Sequence, residues 1–343
     1  MAAVRPLSLS AIGACVLLLM AACGDAEDGA NEEAAADHFD GATVHLSVPA
    51  NPGGGYDQYA RLLAPHLAEE LGASNVVVNN EPEAGGLVAL NNLLGDDSDG
   101  LHLVLMNGVG VAGSTIAGAE GADFELDDFR YVGRVMAEPN VWVAGRSSEV
   151  GNLEHARTTP GFRFGATGPG ASAYVYPSLL AAALDLPDTE IVTGFDSANE
   201  SAVAATRGDI DGLVGGIASR LTPIEDGDHV AILSLTDEPH PQLPDTPAIG
   251  ELELDDDQNE IVDGLLSLIA MGRPVAAAPD VPPAHLEFLR AAFERAIERP
   301  ELVEEAAAVE RPLDPLSGEE MQELAASVAD APDAFRDALT AAY

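Results

Sequence analysis

From residue 43 onward the chain alternates short β-branched runs with segments of helical spacing, and glycine-rich turns sit where the two meet. That alternation is the strongest constraint on the fold, because strand, helix, strand in succession means a parallel sheet covered on both faces. TVHLSV (43 to 48), NVVVNN (75 to 80) and LHLVLMN (101 to 107) read as strands. Between them, residues 57 to 71 place Ala60, Leu63, Leu67 and Leu71 on one helical face, and Pro65 is expected to kink that helix. GGLVALNNLLG (85 to 95) reads as a short helix.

RYVGRVM and NVWVAG lead as strands to residue 145, after which the pattern begins again. FRFGATG (162 to 168), a helix over 172 to 184, TEIVTGF (189 to 195), a helix over 197 to 208, DIDGLVGG and HVAILSL form a second α/β unit. GLLSLIAMGRPVAA then reads as a buried strand. The stretch from Pro282 to Tyr343 is rich in Ala, Glu and Leu, with helix starts near Pro283, Pro300 and Ser317. Such a helical tail needs a partner to pack on. The economical arrangement returns the chain to the first unit, giving one lobe from residues 41 to 145 plus 264 to 343 and another from 146 to 263. Two independent units in series are the alternative.

The start of the chain has a single Arg5, an apolar stretch too short to span a membrane comfortably, and a small-residue site, the pattern of an export signal over residues 1 to 22. Only two cysteines exist. Cys15 lies in the apolar stretch, and Cys23 follows Met20-Ala21-Ala22, which resembles a bacterial lipobox with Cys23 as the lipidated first residue. An ordinary signal cut nearby, leaving a free thiol, is the alternative. The folded body has no disulfide, and residues 23 to 40, small and acidic, are expected to form a solvated tether.

Fifteen basic residues, all Arg, face 58 acidic ones, for a net charge of -43. Such a field repels nucleic acid and anionic membrane surfaces. Either a salty habitat, where screening removes the self-repulsion, or compositional drift accounts for it.

A glycine turn entering a helix leaves amide hydrogens unpaired at its positive end and lets a guest come close. NPGGGYD offers one such site, NEPEAGG a second and GATGPGAS a third, each after the C-terminal end of a strand, where open α/β sheets bind ligands. A phosphate loop needs Gly-Lys-Ser/Thr and the chain has no lysine; the dinucleotide fingerprint also fails. No Gly-x-Ser-x-Gly elbow, metal-spaced histidines or complete calcium loop is present, so no enzyme, cofactor or metal site is expected.

PGGGYDQYARLLAPHLAEELGASNVVVNNEPEAGG followed by SDGLHLVL resembles the opening of the substrate-binding receptors of tripartite tricarboxylate transporters, the Bug family. GATGPGAS, RGDIDGLVGG and HPQLPDTPAIGEL match later family segments, so the likeness runs from about residue 43 to the C-terminus. Glu83, Asn80-Glu81 and GFDSANES depart from the family pattern. The resemblance implies an α/β, two-lobed, periplasmic-binding-protein-like (Venus flytrap) fold with a type II-like crossover. It implies a monomeric receptor, anchored on the outer face of the cell membrane, that closes on a di- or tricarboxylate and passes it to a membrane permease.

Backbone amides at Gly53, Gly54, Gly55 and Tyr56, at Gly85 and Gly86, and from Thr167 and Gly168 to Ser172 would clasp carboxylate oxygens, helped by the hydroxyls of Tyr56, Thr167 and Ser172. Asp57 is either a helix N-cap or a ligand contact. Phe195, Asp196 and Ser197 line a fourth turn, where Asp196 would select a guest carrying an amine or hydroxyl. A receptor of another transport system, for amino acids or metals, would want a ligand-facing Arg, for which Arg61, Arg134 and Arg146 are available.

Overall fold

The computed structural model describes residues 31–82, 86–95, 98–168 and 171–343. Cys15, Cys23 and Gly85, on which expectations rest, lie outside the described residues.

Six strands form the first sheet, in the order β2 (Asn75–Asn80), β1 (Thr43–Val48), β3 (His102–Leu105), β10 (Pro274–Ala277), β4 (Arg130–Arg134) and β11 (Leu316–Ser317). Five form the second: β7 (Glu190–Val192), β6 (Arg163–Gly165), β8 (Gly212–Gly216), β5 (Asn140–Gly145) and β9 (His229–Leu235). The first three strands of each sheet are parallel. In fourth place each sheet holds one reversed strand, β10 between β3 and β4 and β5 between β8 and β9. Both fourth-place strands are delivered by segments that cross from the other sheet; the edge strand β11 is also reversed, antiparallel to β4. This is the two-lobed, type II arrangement.

Alternation explains how each strand is used. In β1, Val44, Leu46 and Val48 are buried while His45 and Ser47 on the other face are half-buried. Helix α2 (Gly55–Leu71) covers the apolar face with Tyr59, Ala60, Leu63, Leu67 and Leu71, and it runs through Pro65 as one element. It ends at Gly72, whose φ of 68° is the left-handed cap that glycine supplies. The other helices after strands are α3 (Leu87–Gly95) and α4 (Gly108–Ile116) in the first lobe, and α6 (Ser172–Ala183), α7 (Ala198–Arg207) and α8 (Ile217–Glu225) in the second; α5 (Leu153–Thr158) is short.

Three expectations are corrected. The strand at 140–145 was placed with the first lobe, whereas β5 is bonded on both sides into the second sheet. The apolar run GLLSLIAMGRPVAA is not one strand: its first half is the end of helix α9 (Asp256–Met271), and only Pro274–Ala277 is a strand. A short apolar run in a buried helix carries the same pattern as a buried strand. The tether expected up to residue 40 is also shorter, because residues 31–39 form helix α1, with Ala35 and Phe39 buried. Phe39 stacks on Phe288 and meets His285 edge-on.

Four helices complete the chain: α10 (Pro283–Ile297), α11 (Pro300–Ala308), α12 (Gly318–Ala329) and α13 (Asp333–Thr340). α10 and α11 pack on α2, α12 covers β4, and α13 packs on α9 and α6. One apolar cluster therefore runs from Val104 and Tyr131 of the first sheet, through Leu265 and Leu268 of α9 and Phe335 of α13, to Trp142 and Phe164 of the second. The two crossings lie side by side: the Arg273 amide donates to Met136 O at 2.8 Å and the Val135 amide to Arg273 O at 3.0 Å.

Candidate functional site

The first glycine turn is held by a single carboxylate. Gly53, with φ of 83°, swings the chain from β1 toward α2, and its amide donates to Asp57 Oδ2 at 2.8 Å. Asp57 Oδ1 accepts from Asn80 Nδ2 at 2.9 Å, and Arg61 reaches the same carboxylate at 2.8 Å. Asp57 is 3 % exposed. The hydrogen bond from Arg61, together with those from Gly53 and Asn80, outweighs burial and holds its carboxyl down at about 2. The N-cap position belongs to Gly54, so Asp57 closes the turn from the third helical residue.

The Gly54 amide donates to Asn51 O at 3.1 Å. Two of the four amides expected to meet a guest, those of Gly53 and Gly54, are thus engaged inside the turn. Those of Gly55 and Tyr56, at the start of α2, have no acceptor among the described residues.

Tyr56 points toward the other lobe. Its hydroxyl donates to Asn107 Oδ1 at 2.9 Å, and the same oxygen caps α4 by accepting from the Gly110 amide at 3.2 Å. Tyr56, Val109, Glu138, Asn140, Ser172, Tyr176, Ile269, Gly272 and Arg273 line a space of about 50 Å³ between the lobes. Helix starts α2 and α4 of the first lobe, α6 of the second and both crossing segments contribute to that lining. Tyr56 and Ser172, singled out in the sequence, are brought together there.

Arg273 is the cation of this space. Its guanidinium lies over the rings of Tyr56 and Tyr59, 5.0 and 4.8 Å from the centroids, a cation–π sandwich. Nη1 donates to Met136 Sδ at 2.7 Å, Nη2 reaches Glu138 Oε2 at 3.4 Å, and the buried Nε has no partner among the described residues. Burial alone would pull the guanidinium down, but Tyr56, Glu138 and Tyr59 more than offset it and its pKa is raised. Burial pushes Tyr56 and Tyr176 up, and Tyr59 up to about 12, so all three are neutral donors.

Glu138 packs against Gly216, the N-cap of α8, where a Cβ would overlap its carboxyl group. On the second lobe's side Arg220, 2 % exposed, donates from Nη2 to Asn199 Oδ1 at 3.1 Å near the start of α7. Its Nη1 is buried without a partner among the described residues. Burial lowers its pKa, with Glu138 acting in the opposite sense.

The other expected residues sit elsewhere. Gly86, with φ of 98°, is a close-approach glycine, since a Cβ there would overlap Pro49. Thr167 O accepts from the Gly194 amide at 3.3 Å and Gly168 O from the Ala171 amide at 3.2 Å. Phe195 is half-buried, Asp196 is exposed with its amide on Glu200 Oε2 at 2.6 Å, and Ser197 caps α7. Among these only Ser172 lines the interlobe space.

Arg61 is spent on Asp57, and Arg134 on Asp314 and the carbonyl of Ala270. Arg146 is exposed. Asn107, Glu138, Asn140, Tyr176 and Arg273 carry no local motif; the one available signal was a lone Arg273 inside an apolar run. No group of three or more His, Cys, Asp or Glu among the described residues could hold a metal ion, and none of their helices is long and apolar enough to cross a membrane.

A model of the family described as "Tripartite tricarboxylate transporter family receptor" matches residues 59–334. A UPF0065 protein from the tcbD-tcbE intergenic region of a Pseudomonas strain is 28 % identical over 275 residues, 78 % of this chain and 77 % of that one. Among solved structures, a TctC solute-binding protein from Polaromonas superposes with a TM-score of 0.67 at 17 % identity, over 86 % of this chain and 97 % of that one. MatC of Rhodopseudomonas palustris, solved with bound malate, gives 0.64 at 21 % identity over 84 % and 98 %. A second R. palustris protein, solved with adipate, gives 0.65 at 17 % identity over 87 % and 97 %. The family is described as one of receptors, and the Polaromonas structure is of a solute-binding protein. The chain belongs to the tripartite tricarboxylate transporter receptor family.

Proposed function

We propose that this protein captures a small organic acid between its lobes and delivers it to the membrane permease of a tripartite transporter. The observation that carries the reading is the convergence of helix starts α2, α4 and α6 and both crossing segments on one space containing a half-buried guanidinium. Arg273 supplies the charge a carboxylate needs, and the free amides of Gly55 and Tyr56 and the hydroxyl of Ser172 supply further donors. The malate and adipate bound by the two R. palustris relatives support a carboxylate as guest. A space of about 50 Å³ is filled by a few waters, so the lobes part to admit the acid and close on it.

Because the overall charge of -43 opposes an anion, capture rests on these local donors rather than on long-range steering. The protein is held at the outer face of the membrane through lipidated Cys23.

Titration calorimetry with a panel of small di- and tricarboxylates tests the reading. At least one acid binds the wild type, and Arg273→Met weakens it by about 3 kcal/mol, more than a hundredfold in Kd. Binding that survives Arg273→Met undiminished overturns the assignment of the site.

A further inference from the structure

The interlobe space already holds a pair of opposite charges, and Arg220 of the second lobe also feels Glu138. Arg273 is the one cation lining the space, and Glu138, from the first crossing segment, faces it at 3.4 Å. The Glu138 side chain is 29 % exposed. Its carboxyl group lies against Gly216, where a Cβ would collide with it, and its backbone carbonyl accepts from Asn140 Nδ2 at 2.6 Å. Arg273 lies over two tyrosine rings and donates to Met136 Sδ.

A plain dicarboxylate entering this space places an uncompensated negative charge beside Glu138. A guest that carries a protonated amine next to a carboxylate meets both fixed charges with their opposites, and leaves no buried charge unpaired. The guanidinium Nε, which has no partner among the described residues, remains as a further donor for the guest's carboxylate.

We propose that Glu138 sets the charge pattern of the guest: the cleft takes a small acid whose carboxylate lies on Arg273 and whose ammonium group lies on Glu138, in preference to the matching acid without the amine. This rests on the receptor reading above and narrows it.

The test uses the mature full-length protein and two pairs of acids that differ only by the amine, aspartate against succinate and glutamate against glutarate, measured by titration calorimetry. In the wild type the amine-bearing member of the better-fitting pair binds at least about tenfold tighter, the scale of one charge-assisted contact. Glu138→Gln reverses that order by weakening the amine-bearing acid and strengthening the plain one, whereas Glu138→Asp, which keeps the charge, preserves it. The melting temperature of each variant without acid checks that it is folded.

Equal or tighter binding of the plain acid to the wild type, or the same preference in Glu138→Gln, overturns this inference and leaves the receptor reading standing. If no acid of either pair, nor of the wider carboxylate panel, binds the wild type, both fall.

Discussion

The two sheets share one strand order, with a reversed strand in the same fourth place, yet their entry turns are built differently. The turn from β1 into α2 is locked by Asp57, which gathers Gly53, Asn80 and Arg61, while Gln58 Nε2 returns to Gly53 O at 2.9 Å. Among the described residues its counterpart from β6 into α6 has no side-chain cap and no acid in the first helical turn, and is held by backbone bonds of 2.8 to 3.3 Å, such as Tyr174 N to Ala171 O and Gly194 N to Thr167 O. The first lobe therefore presents a preformed half-site. A preformed half costs little ordering when a guest lands, so the contrast predicts that the first lobe changes less than the second on binding.

Asp57→Ala is the harshest way to break this contrast. It removes a buried carboxylate together with its bonds from Gly53, Asn80 and Arg61, for a loss of about 3 kcal/mol in denaturant unfolding. A variant as stable as wild type would mean the turn is not clamped. Acid gives the same information without mutation. The folded carboxyl is depressed from 3.8 to about 2, so its contribution is complete above pH 3.8 and is lost as the pH falls toward 2. That contribution, about 2 kcal/mol, disappears from the acid limb of the stability profile in Asp57→Asn.

Gly86→Ala comes next. It forces a side chain onto Pro49 at a positive φ and pushes the first-lobe turns apart, at about 2 kcal/mol of stability. Ser172→Ala has the smallest effect: it weakens acid binding by less than about tenfold and leaves the melting temperature unchanged, because Ser172 caps nothing and lines only the interlobe space. A stability loss as large as that of Asp57→Ala would erase the contrast between the lobes.

Regular alternation made much of the frame legible. β1, β2, β5 and β9 coincide with the runs TVHLSV, NVVVNN, NVWVAG and HVAILSL, and the starts near Pro283, Pro300 and Ser317 are those of α10, α11 and α12. Helix α4 stayed hidden because GVGVAGSTI is poor in helix formers and is stabilised by its Asn107 cap and by packing on α9. The end of α9 reads as strand in the sequence because a helix segment with no exposed side loses its period. Phe39 was the overlooked sign that the acidic N-terminal stretch stops being tether before residue 40.

For the candidate site, the glycine turns led to Tyr56 and Ser172, which line the interlobe space. They did not lead to Arg273 and Glu138. Both sit in crossing segments, 135 residues apart, with no motif around either, and only the return of the chain beside itself brings them together.

A crystal structure of the protein with the tightest acid of the panel tests the central claim most directly. The account predicts the acid between Tyr56, Ser172 and Arg273, with one carboxylate on the guanidinium. Density in the hollow of about 510 Å³ on the other flank of the crossing segments, lined by Arg134, Leu235 and Asp314, with the interlobe space unchanged, would contradict it.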